Sequence, residues 1–218
     1  MNKRFALWGG LATTMALIVF TVVYLADKSP VNAEINNNPV PAAAENGILA
    51  PREDDWSKGN PNANVIVVKY SDFQCPACRF YASMDDQLSK ELPDDVLFIF
   101  RHFPLRNFQF SRLAATYAEA AGRQGQFWRM HDLIYINQQR WSRGEADQIF
   151  RQFAESMELD MEQFEQDLED PALQERIDSH YQEGQQLGVR AVPTLFLKGE
   201  RIQPRTVEEY RELLESHM

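Results

Sequence analysis

The sequence has very few cysteines: Cys75 and Cys78 are the only two among its 218 residues. This count excludes a framework of several disulfides and a zinc site with four cysteine ligands. Basic residues are also scarce, because 22 Lys and Arg stand against 32 Asp and Glu and the formal net charge is −10. A net negative charge disfavours binding to the negatively charged phosphate backbone of nucleic acids, so we expect no nucleic-acid partner.

One long uncharged run, residues 5–26, stands apart from an otherwise ordinary globular composition. As a helix it would span about 33 Å, the thickness of a bilayer. Lys3 and Arg4 precede it, and the positive-inside rule then places the N-terminus in the cytoplasm. We therefore predict a transmembrane signal anchor within residues 1–27 and a single-pass protein at the periplasmic or extracytoplasmic face. A signal peptide cleaved after Ala33 is the alternative.

The remainder divides into a linker and a domain. Residues 28–54 are rich in Pro, Asn and Ala without an apolar period, which predicts a flexible tether. Residues 55–218 form the predicted domain. Its first strand, 64–70, is rich in Val and Ile without alternation, as expected for a strand buried on both faces.

The order of elements predicts an α/β fold with an insertion. A helix follows Cys78, a second strand covers 96–103, and parallel pairing of the two strands requires a right-handed crossover. Residues 111–187 have helical periodicity almost throughout, which predicts an all-helical subdomain. The sheet resumes at 192–197, and a capping-box pattern at Thr206 and Glu209 starts a final helix.

The Cys75-Pro76-Ala77-Cys78 motif is compatible with a metal site, a structural disulfide or a redox-active pair. Metal binding would need further ligands from four histidines, none of which has finger-like spacing, so we expect no metal. A structural disulfide that closes so short a loop contributes only about 2 kcal/mol to the free energy of unfolding. We therefore favour a pair kept for thiol–disulfide exchange, which needs no other cofactor.

The position of the motif assigns different roles to the two cysteines. Cys75 lies where a strand ends and a helix begins, so backbone N–H groups and the helix dipole would stabilise its thiolate. Pro76 suits the first helical position. Cys78, one turn further, would be more buried and would resolve mixed disulfides. A lowered thiolate pKa favours the reduced form and makes the disulfide a stronger oxidant.

Four motifs in order resemble DsbA-type thiol:disulfide oxidoreductases, most closely the membrane-anchored BdbD-like subgroup. They are FQCPAC at 73–78, FPL at 103–105, the helical stretch at 120–135 and GVRAVPT at 188–194. The resemblance covers about residues 55–216. It implies a thioredoxin-like fold with an inserted all-helical subdomain.

The resemblance also implies further features of the site. Pro193 would carry a cis peptide bond beside the cysteines, and the Val192 backbone would pair with an extended substrate chain. Val rather than Thr before Pro193 favours an oxidase over a reductase. The partners implied are proteins with reduced thiols and a quinone-linked membrane oxidase that restores the disulfide.

Three further residues are candidate modulators. Lys69 stands where related proteins often carry a carboxylate; we favour a solvated lysine, and the alternative is a buried amine that stabilises the thiolate. His102 ends the second strand and could approach the cysteines. Arg79 could add positive potential beside Cys78, although a solvated helix residue is the simpler interpretation.

Together these features predict an enzyme that introduces disulfides into extracytoplasmic proteins. A reductase or isomerase with the same fold is one alternative. A non-catalytic binding or metal-delivery module is the other, and it predicts no turnover of dithiol substrates.

Overall fold

The computed structural model describes residues 47–218. These residues form five strands and eight helices. In chain order they are β1 (Trp56–Gly59), β2 (Val65–Ser71), α1 (Pro76–Glu91), β3 (Val96–His102), α2 (Ser111–Arg123), α3 (Phe127–Ile136), α4 (Gln138–Trp141), α5 (Ala146–Ser156), α6 (Met161–Glu169), α7 (Pro171–Gln186), β4 (Thr194–Leu197), β5 (Glu200–Ile202) and α8 (Val207–Glu215).

The strands form one sheet in the order β1-β3-β2-β4-β5. β2 and β3 run parallel, joined through α1, and the other pairs are antiparallel. β3 is buried along its whole length and β2 at all but one position, as their apolar sequences predict. β1 has no counterpart in the sequence-based prediction, because four residues of alternating exposure carry too little pattern to distinguish a strand.

Six helices, α2 to α7, lie between β3 and β4 and match the predicted insertion. Their core is made of alanines and aromatic rings, including Phe127, Trp141 and Phe150. The same core contains Phe73, Cys75 and Cys78 from the start of α1. The insertion therefore packs directly against the cysteine motif.

The sheet is covered on both faces. Tyr81, Met84 and Leu88 of α1 and Tyr210 of α8 pack on the side that carries Val65 and Val67. The other face is covered mainly by the chain around Leu187 and Val189, together with Leu49. Burial of both faces explains why the central strands lack polar alternation.

The end of the predicted linker packs on the domain. Leu49 is buried, and the Arg101 guanidinium donates to the carbonyls of Ile48 and Ala50 and pairs with Asp55 at 2.9 Å. The packed part of the chain therefore begins before residue 55, because a buried arginine on β3 takes its hydrogen-bond acceptors from this segment. The predicted membrane anchor and the rest of the linker lie outside the described residues.

Candidate active site

The two cysteines lie at the junction of β2 and α1. Cys75 is the N-cap of α1, with an extended backbone (φ −78°, ψ 122°), and Pro76 opens the first turn. Cys78 faces inward and is 0% exposed, whereas Cys75 is 7% exposed. Both are free thiols. Both cysteines are therefore buried at the helix start, and only Cys75 retains a small accessible surface.

The environment moves the two thiol pKa values in opposite directions. A hydrogen bond from Cys78 is the main cause that lowers the pKa of Cys75 to about 6, and the backbone N–H groups of Cys78 and Ala77 act in the same direction against burial. Burial raises the pKa of Cys78 well above its ordinary value, and interaction with Cys75 adds to the effect. At neutral pH Cys75 is therefore largely the thiolate, the nucleophilic form, and Cys78 stays protonated.

A loop from the far end of the chain faces Cys75. The Val192–Pro193 peptide bond is cis, as the family resemblance implied. The Cys75 sulfur lies 3.5 Å from the Val192 carbonyl oxygen, to which it donates a hydrogen bond when the thiol is protonated. The loop before β4 thus borders the more exposed cysteine.

Asp72 ties the cysteine loop to its surroundings. Its backbone N–H donates to the Cys78 sulfur at 3.5 Å. Its carboxylate accepts from the Ser111 hydroxyl at 2.6 Å and from the backbone N–H of Leu105 and of Gln74, each at 2.7 Å. Burial nevertheless raises the pKa of Asp72. These bonds connect the loop to the start of the helical insertion.

The insertion contributes two polar groups that the sequence analysis did not assign to the site. Gln138 donates from Nε2 to the carbonyls of Phe73 at 2.7 Å and Cys75 at 2.9 Å. The Tyr135 hydroxyl lies 2.9 Å from the hydroxyl of Ser71. Nothing local in the sequence marks these residues, because their partners lie more than 60 positions away.

Lys69 is buried, so the favoured interpretation as a solvated lysine is wrong. It is 4% exposed and pairs with the carboxylate of Asp85 on α1. The pair lines a small cavity together with Trp128 and His131. The physical reason for its burial is this ion pair, since an unpaired ammonium inside the domain would be strongly destabilising.

The other two candidate modulators have separate environments. The Nε2 atom of His102 lies 2.6 Å from Glu119 of α2. Arg79 is exposed and borders an open groove beside α1 that Phe80 and Ile136 also line. Roles for Lys69, His102 and Arg79 in tuning the cysteines stay predictions.

Among residues 47–218, no group of three or more His, Cys, Asp or Glu side chains is arranged to hold a metal ion.

Comparison with known proteins identifies the family of this chain. A family model described as Thioredoxin matches residues 52–216. The chain belongs to this family.

Solved structures of DsbA-like proteins have the same fold. A variant of alpha-DsbA1 from Wolbachia pipientis is 19% identical with a TM-score of 0.67, and the match covers 79% of this chain and 94% of that chain. Oxidised BdbD from Bacillus subtilis is 22% identical with a TM-score of 0.64, over 74% of this chain and 91% of that chain. The predicted resemblance to the DsbA and BdbD group is confirmed.

A curated relative carries a different name. The Na(+)/H(+) antiporter NhaA 1 of Mycolicibacterium gilvum is 32% identical over 154 residues, which cover 68% of this chain and 24% of the relative. The chain thus spans about a quarter of the length of the curated relatives that it matches first.

The predicted location is contradicted. Curated relatives carry the name Na(+)/H(+) antiporter, which is not the name of a single-pass anchored enzyme. Within residues 47–218, no helix combines the length and apolar character needed to cross a membrane. The names of these relatives contradict the assignment to a single-pass protein at the extracytoplasmic face.

Proposed function

We propose that this chain is a thiol:disulfide oxidoreductase that transfers the Cys75–Cys78 disulfide to protein thiols. The observation that carries the proposal is the contrast between the two cysteines. Cys75 is the N-cap of α1 with a pKa lowered to about 6, and the pKa of buried Cys78 is raised well above its ordinary value. One reactive thiolate beside one inward-facing partner is what disulfide exchange requires.

The reaction follows from this arrangement. A substrate thiolate attacks the Cys75 sulfur of the oxidised pair, the bond between Cys75 and Cys78 breaks, and Cys78 leaves as a thiolate. The second substrate thiol then attacks the mixed disulfide and releases Cys75. The substrate loses two electrons and forms a disulfide, and the enzyme gains them as two thiols.

Oxidation of substrates is the direction we propose. A lowered Cys75 pKa stabilises the reduced enzyme relative to its disulfide, so the disulfide is passed on readily. The carbonyl of Val192 beside Cys75 supports a role for the Val192–Pro193 loop as a backbone acceptor for an extended substrate. For reoxidation we propose a quinone-linked membrane oxidase, on the strength of the family resemblance.

The reduction potential tests the direction. The domain would be equilibrated in glutathione buffers of known potential, with Cys75→Ser as the control. The expected result is a reduction potential of about −120 mV, at the oxidising end of the range. A potential of about −270 mV would instead indicate that the protein is a reductase. Stoichiometric metal binding without turnover of a dithiol peptide would instead overturn the enzymatic proposal.

A further inference from the structure

Asp72, which lies between β2 and α1, contacts both cysteines through its main chain. Its backbone N–H lies 3.5 Å from the Cys78 sulfur, to which it donates a hydrogen bond. Its carbonyl accepts from the backbone N–H of Cys75 at 3.2 Å. Asp72 is 2% exposed. One buried residue therefore joins the two thiols of the motif.

The carboxylate of Asp72 holds this residue in one orientation. Oδ1 accepts from the Ser111 hydroxyl at 2.6 Å and from the backbone N–H of Gln74 at 2.7 Å. Oδ2 accepts from the backbone N–H of Leu105 at 2.7 Å. Hydrogen bonds to a charged acceptor are stronger than those between neutral groups. Because the three donors come from different segments of the chain, they fix the direction of the Asp72 N–H relative to Cys78.

The Cys78 sulfur acquires negative charge when the disulfide opens. Cys78 is 0% exposed, so water does not solvate that charge. Burial accordingly raises the pKa of Cys78 well above its ordinary value. A backbone N–H that donates to the charged sulfur stabilises it and lowers the barrier to opening. The hydrogen bond from Asp72 acts in this direction, since it lowers the pKa of Cys78.

On the basis of the proposed function, we propose that the Asp72 backbone N–H stabilises the Cys78 thiolate as it leaves the disulfide, and that the Asp72 carboxylate positions this N–H. Asp72 is a catalytic residue through its main chain, because the N–H touches the leaving sulfur. The carboxylate keeps its charge during the step. Ser111 is a positioning residue that acts through Asp72.

The chemical step conserves atoms and electrons. The substrate sulfur forms a bond with Cys75, the Cys75–Cys78 bond breaks, and its electron pair stays on Cys78. The Asp72 N–H keeps its hydrogen throughout. The Cys78 thiolate then takes up a proton from solvent, which balances the proton that the second substrate thiol releases. The titratable groups that act on Cys78 are Cys75 on α1, Asp72 after β2 and Tyr135 on α3.

The first test measures how fast dithiothreitol reduces the oxidised protein at pH 7. Asp72→Ala removes all three hydrogen bonds of the carboxylate and should slow reduction by about tenfold or more. Ser111→Ala removes one of these bonds and leaves the charge in place, so it should slow reduction by about threefold. The double variant should match Asp72→Ala within about twofold, because Ser111 acts only through Asp72.

Asp72→Asn separates hydrogen bonding from charge. Asparagine keeps an acceptor oxygen for Ser111 and Gln74 but carries no charge, so its rate should lie within about threefold of the unmodified protein. The Asp72 charge raises the pKa of Cys75, and both variants of Asp72 remove it. A role through charge alone therefore predicts the same rate for Asp72→Asn and Asp72→Ala, and that result would overturn the proposal.

Thr116→Val is the matched control for loss of a hydroxyl on α2. The Thr116 hydroxyl donates to the carbonyl of Arg112 on the same helix. The variant should be reduced within about twofold of the unmodified rate, since it leaves the Asp72 hydrogen bonds intact. Thermal unfolding of all variants checks that they are folded.

A pH profile separates catalysis from packing. In a mixed disulfide between Cys75 and glutathione, Cys78 releases glutathione at a rate that rises as its thiol ionises. The midpoint of this profile should move to higher pH in Asp72→Ala and Ser111→Ala, because the thiolate has lost a well-placed donor. Slower reduction with an unmoved midpoint would overturn the proposal, as would unchanged rates in both variants. If the unmodified disulfide failed to oxidise a dithiol peptide, the proposed function itself would be rejected.

Discussion

Lys69 of β2 and Asp85 of α1 form an ion pair inside the domain, with side chains 5% and 10% exposed. Asp85 lies seven residues beyond Cys78, two helical turns along the same face of α1. The second carboxylate oxygen of Asp85 and the Nε2 atom of His131 lack a hydrogen-bond partner among the described residues. The two charges therefore depend chiefly on each other.

Removal of one member of this pair should be strongly destabilising. Lys69→Met leaves the Asp85 carboxylate buried without its counter-charge, and we expect a loss of about 3–5 kcal/mol in the free energy of unfolding. Urea unfolding measures it. The double variant Lys69→Met/Asp85→Leu should recover most of the loss; a double variant as unstable as the single one would contradict this interpretation.

The same Lys69→Met protein tests whether Lys69 tunes the cysteines. If its charge stabilises the Cys75 thiolate, the pKa of Cys75 rises and the protein becomes a weaker oxidant. Ultraviolet absorbance of the thiolate during a pH titration follows the change. An unaltered titration and potential would leave Lys69 with a purely structural role.

The lowered pKa of Cys75 should depend on Cys78. In the unmodified protein, alkylation of Cys75 by iodoacetamide should reach half its maximal rate near pH 6. Cys78→Ala removes the main hydrogen bond that lowers this pKa, so the midpoint should move toward the ordinary value for a thiol. The pH dependence of alkylation checks this, and an unmoved midpoint would assign the shift to the backbone N–H groups alone.

Gln138 should hold the cysteine loop in place. Gln138→Leu removes the side-chain amide that donates to the carbonyls of Phe73 and Cys75. We expect the free energy of unfolding to fall by about 1–3 kcal/mol. Chemical unfolding gives the stability, and amide hydrogen exchange should show faster opening around residues 73–75. Gln139→Leu, at an exposed neighbouring position, is the control and should change neither measurement.

Acid should destabilise the fold through His131. Burial is the main cause that lowers the pKa of this residue from 6.5 to about 4. Between these values the unfolded chain binds a proton that the folded protein does not, so stability is lost as the pH falls from 6.5 to 4, by up to about 3 kcal/mol. Burial also lowers the pKa of His180, which acts in the same direction.

Unfolding free energies measured across this pH range test the assignment. His131→Gln removes one titrating group, so its stability should depend less steeply on pH than that of the unmodified protein. Gln139→Leu, which removes no titrating group from an exposed position, should keep the original slope. A slope unchanged by His131→Gln would show that other groups govern the acid sensitivity.

The local features of this protein follow from its amino-acid sequence alone. β2 and β3, the helix that starts at Pro76 and the helical block after Ser111 follow from apolar periodicity and from the residues that start and stop helices. The cysteine spacing and its place between a strand and a helix were sufficient to single out Cys75 and Cys78. Such signals lie within a few residues of one another, so they can be read along the chain.

The distant side chains that contact the cysteine loop are known only from the tertiary structure. Gln138 and Tyr135 reach the loop from more than 60 residues away, and Val192 lies 117 positions from Cys75. Lys69 is buried because α1 supplies Asp85 opposite it, which strand alternation does not reveal. Hydrogen bonds and ion pairs of this kind depend on how elements pack, and the residue types alone do not specify their partners.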